Sequence, residues 1–247
     1  MEAAQVNGGG AIEARKVEPG RGWEWWPEAW ALFMRSPLLW VALALIVMVA
    51  FGVIGLVPLL GTLATAVLLP AVAAGWLLAA RKVEAGGALE VGDLLAGFQG
   101  ERMPPLLTLG AGLAGALLIV VAINVMLGAG ALVGAAMGGM HRGGVGRMPL
   151  IGMGLLTMLV VFTFVVVSTA ALWFAPALVV FRRMAPLDAV KASLSAVLRN
   201  WLPFLVYGLI QIGLSIVASI PFALGWLLLM PVMLLTVYVS YKDVFGA

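Results

Sequence analysis

Residues 36–80 read SPLLWVALALIVMVAFGVIGLVPLLGTLATAVLLPAVAAGWLLAA, with no acidic or basic side chain. A membrane-spanning helix needs about 20 apolar residues to cross roughly 30 Å of hydrocarbon. The stretch is about twice that length, so it is read as two spans, near 38–57 and 61–80, joined by a turn marked by Pro58 and Gly61. Three further uncharged stretches, 103–140, 148–181 and 200–241, place spans near 105–128, 149–175, 202–220 and 223–241. Runs such as Leu43-Ala44-Leu45-Ile46-Val47-Met48-Val49 are apolar on every side and lack the alternation of barrel strands. In lipid the backbone must satisfy its own polar groups, and helices do so within one segment. The expected fold is all-α: a polytopic bundle of six transmembrane helices arranged as three hairpins, with interfacial amphipathic helices on the cytoplasmic side.

Composition supports the same reading. The chain has 247 residues, of which 64% are hydrophobic and 10% charged, whereas soluble domains are nearer a quarter charged. A net charge of +3, spread along the chain, does not point to nucleic acid as a partner. Residues 1–22 are polar and glycine-rich and lack the apolar core of a signal peptide. They are expected to form a disordered cytoplasmic tail, with 23–247 as a single six-span membrane domain.

Six spans put both termini on one side. Arg15, Lys16, Arg21, Arg35, Arg81, Lys82, Arg102, Arg182, Arg183, Lys191, Arg199 and Lys242 fall there, against Arg142 and Arg147 opposite. Positive charge is retained on the cytoplasmic face, so both termini are expected to be cytoplasmic in a bacterial inner membrane.

The chain also repeats itself. Each of three units has an interfacial stretch, then an arginine, then a proline opening a span: Arg35-Ser36-Pro37, Arg102-Met103-Pro104 and Arg199-Asn200-Trp201-Leu202-Pro203. Proline suits the first helical turn, where no N–H is needed, and the arginine can anchor at the headgroups. Hairpins one and three share a turn proline and glycine (Pro58 and Gly61; Pro221 and Gly225), a mid-span proline (Pro70; Pro231) and a basic residue eleven positions later (Arg81; Lys242). Hairpin two departs from this, with Pro176 late in its returning span.

Residues 23–35 predict an in-plane helix, with Trp23, Trp26, Trp30 and Phe33 on one face. Tryptophan favours the headgroup level, so Trp23, Trp26, Trp30 and Trp201 are assigned as interfacial anchors. An aromatic cage for a cation is the less favoured alternative. Residues 185–199 predict a second interfacial helix with Leu187, Val190, Leu194, Val197 and Leu198 on one face and Asp188, Lys191 and Ser195 elsewhere. Arg182, Arg183, Lys191 and Arg199 are candidate headgroup contacts, with anionic lipids the simplest partner. Residues 91–99 form a third candidate, with Val91, Leu94, Leu95 and Phe98.

Obvious chemistry is absent. Intramembrane ionisable groups usually mark proton or ion paths, and these spans contain none. Asn124 and Gln211 are the most polar side chains inside and are expected to hydrogen-bond neighbouring helices. His141 is the only histidine and there is no cysteine, so no metal site, cofactor site or catalytic residue is assigned. The glycine-rich segment 128–146 is read either as a re-entrant piece or as an external loop, with the loop preferred.

Ala185-Pro186-Leu187-Asp188-Ala189-Val190-Lys191-Ala192-Ser193, with Arg199-Asn200-Trp201-Leu202-Pro203-Phe204, Gly22-Trp23, Arg35-Ser36-Pro37, Glu84-Ala85-Gly86-Gly87 and Leu94-Leu95-Ala96-Gly97-Phe98, resembles an uncharacterised family of bacterial six-span inner-membrane proteins. The pattern Pro186-x-x-Ala189-x-x-x-Ser193 is more distantly similar to one in membrane domains fused to some glycerophosphodiester phosphodiesterases. No such catalytic domain is expected within these residues, so that activity does not carry over. The resemblance implies six helices in a bacterial inner membrane and no particular substrate.

The expected role is that of a non-enzymatic integral membrane protein that organises lipid or a protein partner. The alternative is a transporter or channel for a lipid-like or apolar solute, without ion coupling through intramembrane carboxylates. Reporter fusions after Ala80, after Asn200 and at the C-terminus should give a cytoplasmic signal, and a fusion at Gly139 a signal from the far side. A cytoplasmic signal at Gly139 would refute the six-span topology.

Overall fold

The computed structural model describes residues 14–138, 148–220 and 224–246. His141, Arg142, Arg147 and Pro221 lie outside the described residues, as do most of the tail and the end of the glycine-rich segment. Nine α-helices occupy the described residues, and no strand is found among them. They are α1 (Arg21–Phe33), α2 (Pro37–Gly55), α3 (Leu60–Glu84), α4 (Met103–Gly138), α5 (Met148–Trp173), α6 (Ala175–Arg182), α7 (Pro186–Arg199), α8 (Trp201–Ser219) and α9 (Trp226–Phe245). Six helical segments are long and apolar enough to cross a membrane.

The repeat is visible in the element order: α1, α2 and α3; then a 3-10 segment (Val91–Phe98), α4 and α5; then α7, α8 and α9. Hairpins one and three also share a detail at the turn. A Cβ added at Gly61 would lie 2.0 Å from the Ile54 carbonyl oxygen, and one added at Gly225 would lie 2.5 Å from the Ala218 Cα. Each glycine thus backs onto the residue seven positions earlier, and only hydrogen leaves room. Leu59 between α2 and α3 has φ 61 and ψ −57, and the Leu60 N–H donates to the Pro58 carbonyl at 2.7 Å. This is the rare, strained γ-turn geometry.

The segments outside the spans close onto the bundle. The 3-10 segment lies against α3, where a Cβ added at Gly97 would come within 2.0 Å of the Ala71 carbonyl oxygen. Leu94 is buried, while Val91 and Leu95 are exposed. Gly22 does the same for α1, backing onto the Pro203 carbonyl oxygen of α8. In hairpin two, Gly110 makes a close contact with Val67 of α3, while Gly112, Gly115, Gly152 and Gly154 face open space. The preferred external loop at 128–146 is corrected over its described part, because α4 continues as helix to Gly138.

The α5–α6 junction is the main irregularity. In an unbroken helix the Phe174 N–H would bond to the Ala170 carbonyl. Here the Ser193 hydroxyl, from α7, stands between them: it donates to Ala170 O at 2.7 Å and accepts from Phe174 N at 3.0 Å. Inserting a side chain into the ladder is a recognised cause of a helix break. Pro176 then opens α6, where its missing N–H is not needed. α7 reaches this position by presenting small residues, since Ala189, Ser193 and Ala196 are all buried.

Asn200 fixes the other end of α7. It is 1% exposed. Its Oδ1 accepts from Val17 N at 2.8 Å, and its Nδ2 donates to Arg15 O at 2.9 Å and Ala196 O at 3.0 Å. Arg15 N also donates to Val244 O at 2.8 Å. Residues 14–18, expected to belong to a disordered tail, are therefore pinned between α7 and α9. An amide with a donor and an acceptor can satisfy an extended backbone on both sides.

Ser193→Ala should cost about 1–3 kcal/mol, the penalty for stranding buried polar groups, while Ser195→Ala at an exposed position should change stability by less than about 0.5 kcal/mol. Thermal melting in one detergent checks the pair, and equal losses would refute the bridge. Asn200→Ala should release residues 14–18, so that limited trypsin cleaves after Arg15 and Lys16 several-fold faster while the bundle stays intact. Unchanged cleavage would show that the clamp does not hold the chain.

Candidate functional site

The charged residues gather where α3, α6 and α9 end. Arg81, Glu84, Arg182, Tyr238, Tyr241 and Lys242 line one cavity of about 540 Å³. The Lys242 ammonium pairs with Glu84, which also accepts from the Tyr238 hydroxyl at 2.7 Å. Arg81 lies over the Phe181 ring, 5.3 Å from its centroid. The repeat thus places its two equivalent basic residues, Arg81 and Lys242, in one pocket.

Two arginines here cap helices. Arg35 donates to Val83 O at 3.1 Å and Glu84 O at 3.0 Å, at the end of α3. Arg182 donates to Phe245 O at 3.2 Å, at the end of α9. The last carbonyls of a helix lack partners and carry partial negative charge, so a guanidinium satisfies both needs. Arg182, assigned as a headgroup contact, and Arg35, assigned as a headgroup anchor, thus each also serve a helix end. Lys191 and Arg199 are exposed on α7. Arg183 is exposed on the opposite side of the α6 end, where it lines a separate cavity with Arg102.

The tryptophan assignments divide. Trp23, Trp30 and Trp201 are 60%, 47% and 58% exposed. Trp26 is corrected: it is buried and stacks on Tyr207, with centroids 4.9 Å apart. Trp25, absent from the predicted face, is fully buried and donates to Asp243 at 3.0 Å. Arg21 also binds Asp243, at 2.6 Å. Burial pulls the Arg21 guanidinium pKa down, but the hydrogen bonds it donates to Asp243, Glu24 and Glu28 outweigh this and hold it above its ordinary value. α1 carries apolar side chains nearly all round, so periodicity does not choose its inner face. The acceptor on Asp243 and the close approach at Gly22 do.

α7 shows the same rotation. Its buried face is Ala189, Ser193, Ala196 and then Asn200, with Val190 and Val197 partly buried beside it. Leu187 and Leu198 are 65% and 69% exposed. Of the predicted face, Val190, Leu194 and Val197 are thus partly buried and only the two end leucines point outward, while small residues make the closest packing.

Between α5 and α8 lies a groove of about 840 Å³. At its charged end it is closed by aromatic rings: Trp173 stands edge-on to Phe204 at 5.4 Å and to Tyr207 at 5.2 Å. Its walls are apolar and open, with Val165, Val166, Ile212 and Ile216 about half exposed or more. One polar stripe runs along α8 at four-residue spacing: Tyr207, Gln211, Ser215 and Ser219. From Tyr207 to Ser219 is about 18 Å of helix rise, more than half of the hydrocarbon thickness of roughly 30 Å. Thr169 of α5 adds a further hydroxyl.

Much of this stripe is already satisfied. Tyr207 hydrogen-bonds Thr236 at 3.0 Å, and the Ser219 hydroxyl donates to Ser215 O at 2.8 Å. Gln211 reaches α9 only through the Met233 sulfur at 3.8 Å, which leaves its amide facing the groove. Asn124 is corrected: its amide donates at 2.8 Å to Val120 O of its own helix, and its buried Oδ1 has no protein partner. Asn124 does not line this groove, so the structure does not bring it together with Gln211. Two smaller clefts flank α5 on its other sides, about 270 Å³ beside Pro70, Trp76 and Pro176, and about 420 Å³ against α4 and α7. Among the described residues, no cluster of His, Cys, Asp and Glu is placed to hold a metal. Neither the groove nor its aromatic floor was legible from the sequence, although the four-residue polar spacing on α8 was a usable signal.

No protein-family model matches the chain, and no solved structure matches it. A probable inner membrane protein of Burkholderia thailandensis is 27% identical over 208 residues, which span 83% of this chain and 77% of that protein. With six helices of spanning length, this likeness supports an integral, multi-pass bacterial inner-membrane protein of uncharacterised type.

Proposed function

We propose that this protein is a non-enzymatic organiser of membrane lipid, with both termini in the cytoplasm. The observation that carries the reading is the groove between α5 and α8. It opens sideways, where lipid is the solvent, and its exposed walls are apolar. An acyl chain is the ligand such a surface accepts without cost. The polar stripe suits the ester or hydroxyl groups of a lipid that has sunk below the headgroup level. Its side chains are neutral, so no proton or ion need accompany the lipid. The orientation rests on the twelve basic residues on one side against two on the other.

A second reading is transport of a lipid-like solute. The break at Phe174 and the clefts on several sides of α5 favour it, since discontinuous helices commonly border transport sites. Nothing in the groove links it to an ion gradient.

A phospholipid carrying a photoreactive acyl chain should crosslink to α5 and α8 residues of the reconstituted protein. Gly208 lines the groove, and a Cβ there would meet no atom within 4 Å. Gly208→Phe should therefore fill the groove and reduce crosslinking several-fold with little change in melting temperature. Crosslinking unaffected by that substitution would refute the reading. Accelerated lipid flip in the same vesicles would favour transport over organisation.

A further inference from the structure

A second lipid site is built where α4, α5, α6 and α7 meet. Its upper part is a polar cavity of about 510 Å³ lined by Gln99, Glu101, Arg102 and Arg183, among others. Its lower part is the apolar cleft of about 420 Å³, lined by Thr108, Gly112 and Ala116 of α4, Phe164 and Val167 of α5, and Val190 of α7. The two parts adjoin. Pro105 lines the upper and Thr108 the lower, within one helical turn of α4, and Met184 and Pro186 make the same passage at the start of α7. From Thr108 to Ala116 the cleft follows α4 for about 12 Å.

The charges in the upper part are left over from the rest of the fold. Arg35 and Arg182 cap helices, and Lys82, Arg21 and Lys242 pair with carboxylates. Arg102 and Arg183 make no ion pair among the described residues, and both line the same cavity. Arg183 is held there by an unusual backbone. It ends α6 with φ 52 and ψ 34, a left-handed conformation that glycine adopts freely and arginine does not. A residue kept in such a conformation where glycine would be easier points to a role for its side chain.

We propose that this composite pocket binds one singly anionic phospholipid of the phosphatidylglycerol type, a site that deepens the lipid-organising reading and rests on it. The phosphodiester takes charge-assisted hydrogen bonds from the Arg102 and Arg183 guanidiniums. The headgroup hydroxyls donate to Glu101 and Gln99, and one acyl chain lies in the cleft along α4. Charge decides the class of lipid. Two arginines and one glutamate leave the pocket one positive charge in excess, which an anionic headgroup neutralises and a zwitterionic one does not.

The test uses the full chain in nanodiscs of equal phosphatidylglycerol and phosphatidylethanolamine with matched acyl chains. Retained lipid is read by native mass spectrometry after release into mild detergent. The wild type should keep one phosphatidylglycerol in preference to phosphatidylethanolamine. Arg102→Gln with Arg183→Gln should lower that retention at least tenfold, whereas Arg199→Gln, which removes one positive charge on α7 outside the pocket, should leave it unchanged. Gly112→Leu should also displace the lipid, since a Cβ there meets open space and the longer side chain fills the cleft. Arg183→Gly separates function from folding: it should raise the melting temperature and still lose the lipid. Retention by the double variant, or equal loss from Arg199→Gln, would overturn the site. Equal retention of both lipids by the wild type would overturn the headgroup assignment. Either result would leave the α5–α8 groove reading standing, because that is tested by Gly208→Phe crosslinking.

Discussion

One hydroxyl sets the geometry of the central helices. Ser193 takes both ends of the hydrogen bond that would otherwise join Ala170 to Phe174. In the low-dielectric interior an unpaired amide or carbonyl is costly, so α5 can break there only while α7 supplies a substitute. That ties α7 to the junction and requires a small side chain at each contact position, which Ala189 and Ala196 provide. The resembling pattern Pro186-x-x-Ala189-x-x-x-Ser193 thus has a physical reading: proline starts α7, alanine permits approach, and serine repairs the helix it displaces.

Much follows from that break. α6 leaves α5 in a new direction and delivers Arg182 to the end of α9 and Arg183 to the opposite side. Trp173, the last residue of α5, donates to Ser240 of α9 at 3.1 Å and forms the aromatic floor of the groove with Phe204 and Tyr207. Beyond that floor an open groove with apolar walls takes the place of packing between α5 and α8. There is little hydrophobic drive to close such a gap, because hydrocarbon tails are as apolar as the side chains they would replace.

The charged end is organised by contacts to helix termini. Arg35 and Arg182 satisfy carbonyls that end α3 and α9, and Asp243 gathers Arg21 and Trp25 onto α9. These contacts join segments far apart in the chain. A count of positive charges on one side shows which face of a membrane they favour, but not which of them are already occupied.

The sequence alone determined the all-helical class, the number of spanning segments and the repeat, because each depends on local quantities. Uncharged runs of sufficient length form helices in lipid, and a proline followed eleven residues later by a basic residue recurs in two hairpins. The inner faces of α1 and α7 were decided by tertiary structure. Trp26 and Trp25, and Leu187 and Ala189, are all compatible with burial by period, and only the partner surface selects among them. Residues 14–18 looked like free tail because no local pattern announces a segment held by Asn200 from 183 residues away. Asn124 looked like an interhelical contact, yet its amide donates to the Val120 carbonyl of its own helix. Helix formation is settled within a few residues of chain, whereas hydrogen-bond partners, packing faces and the clefts between helices depend on which distant surfaces meet.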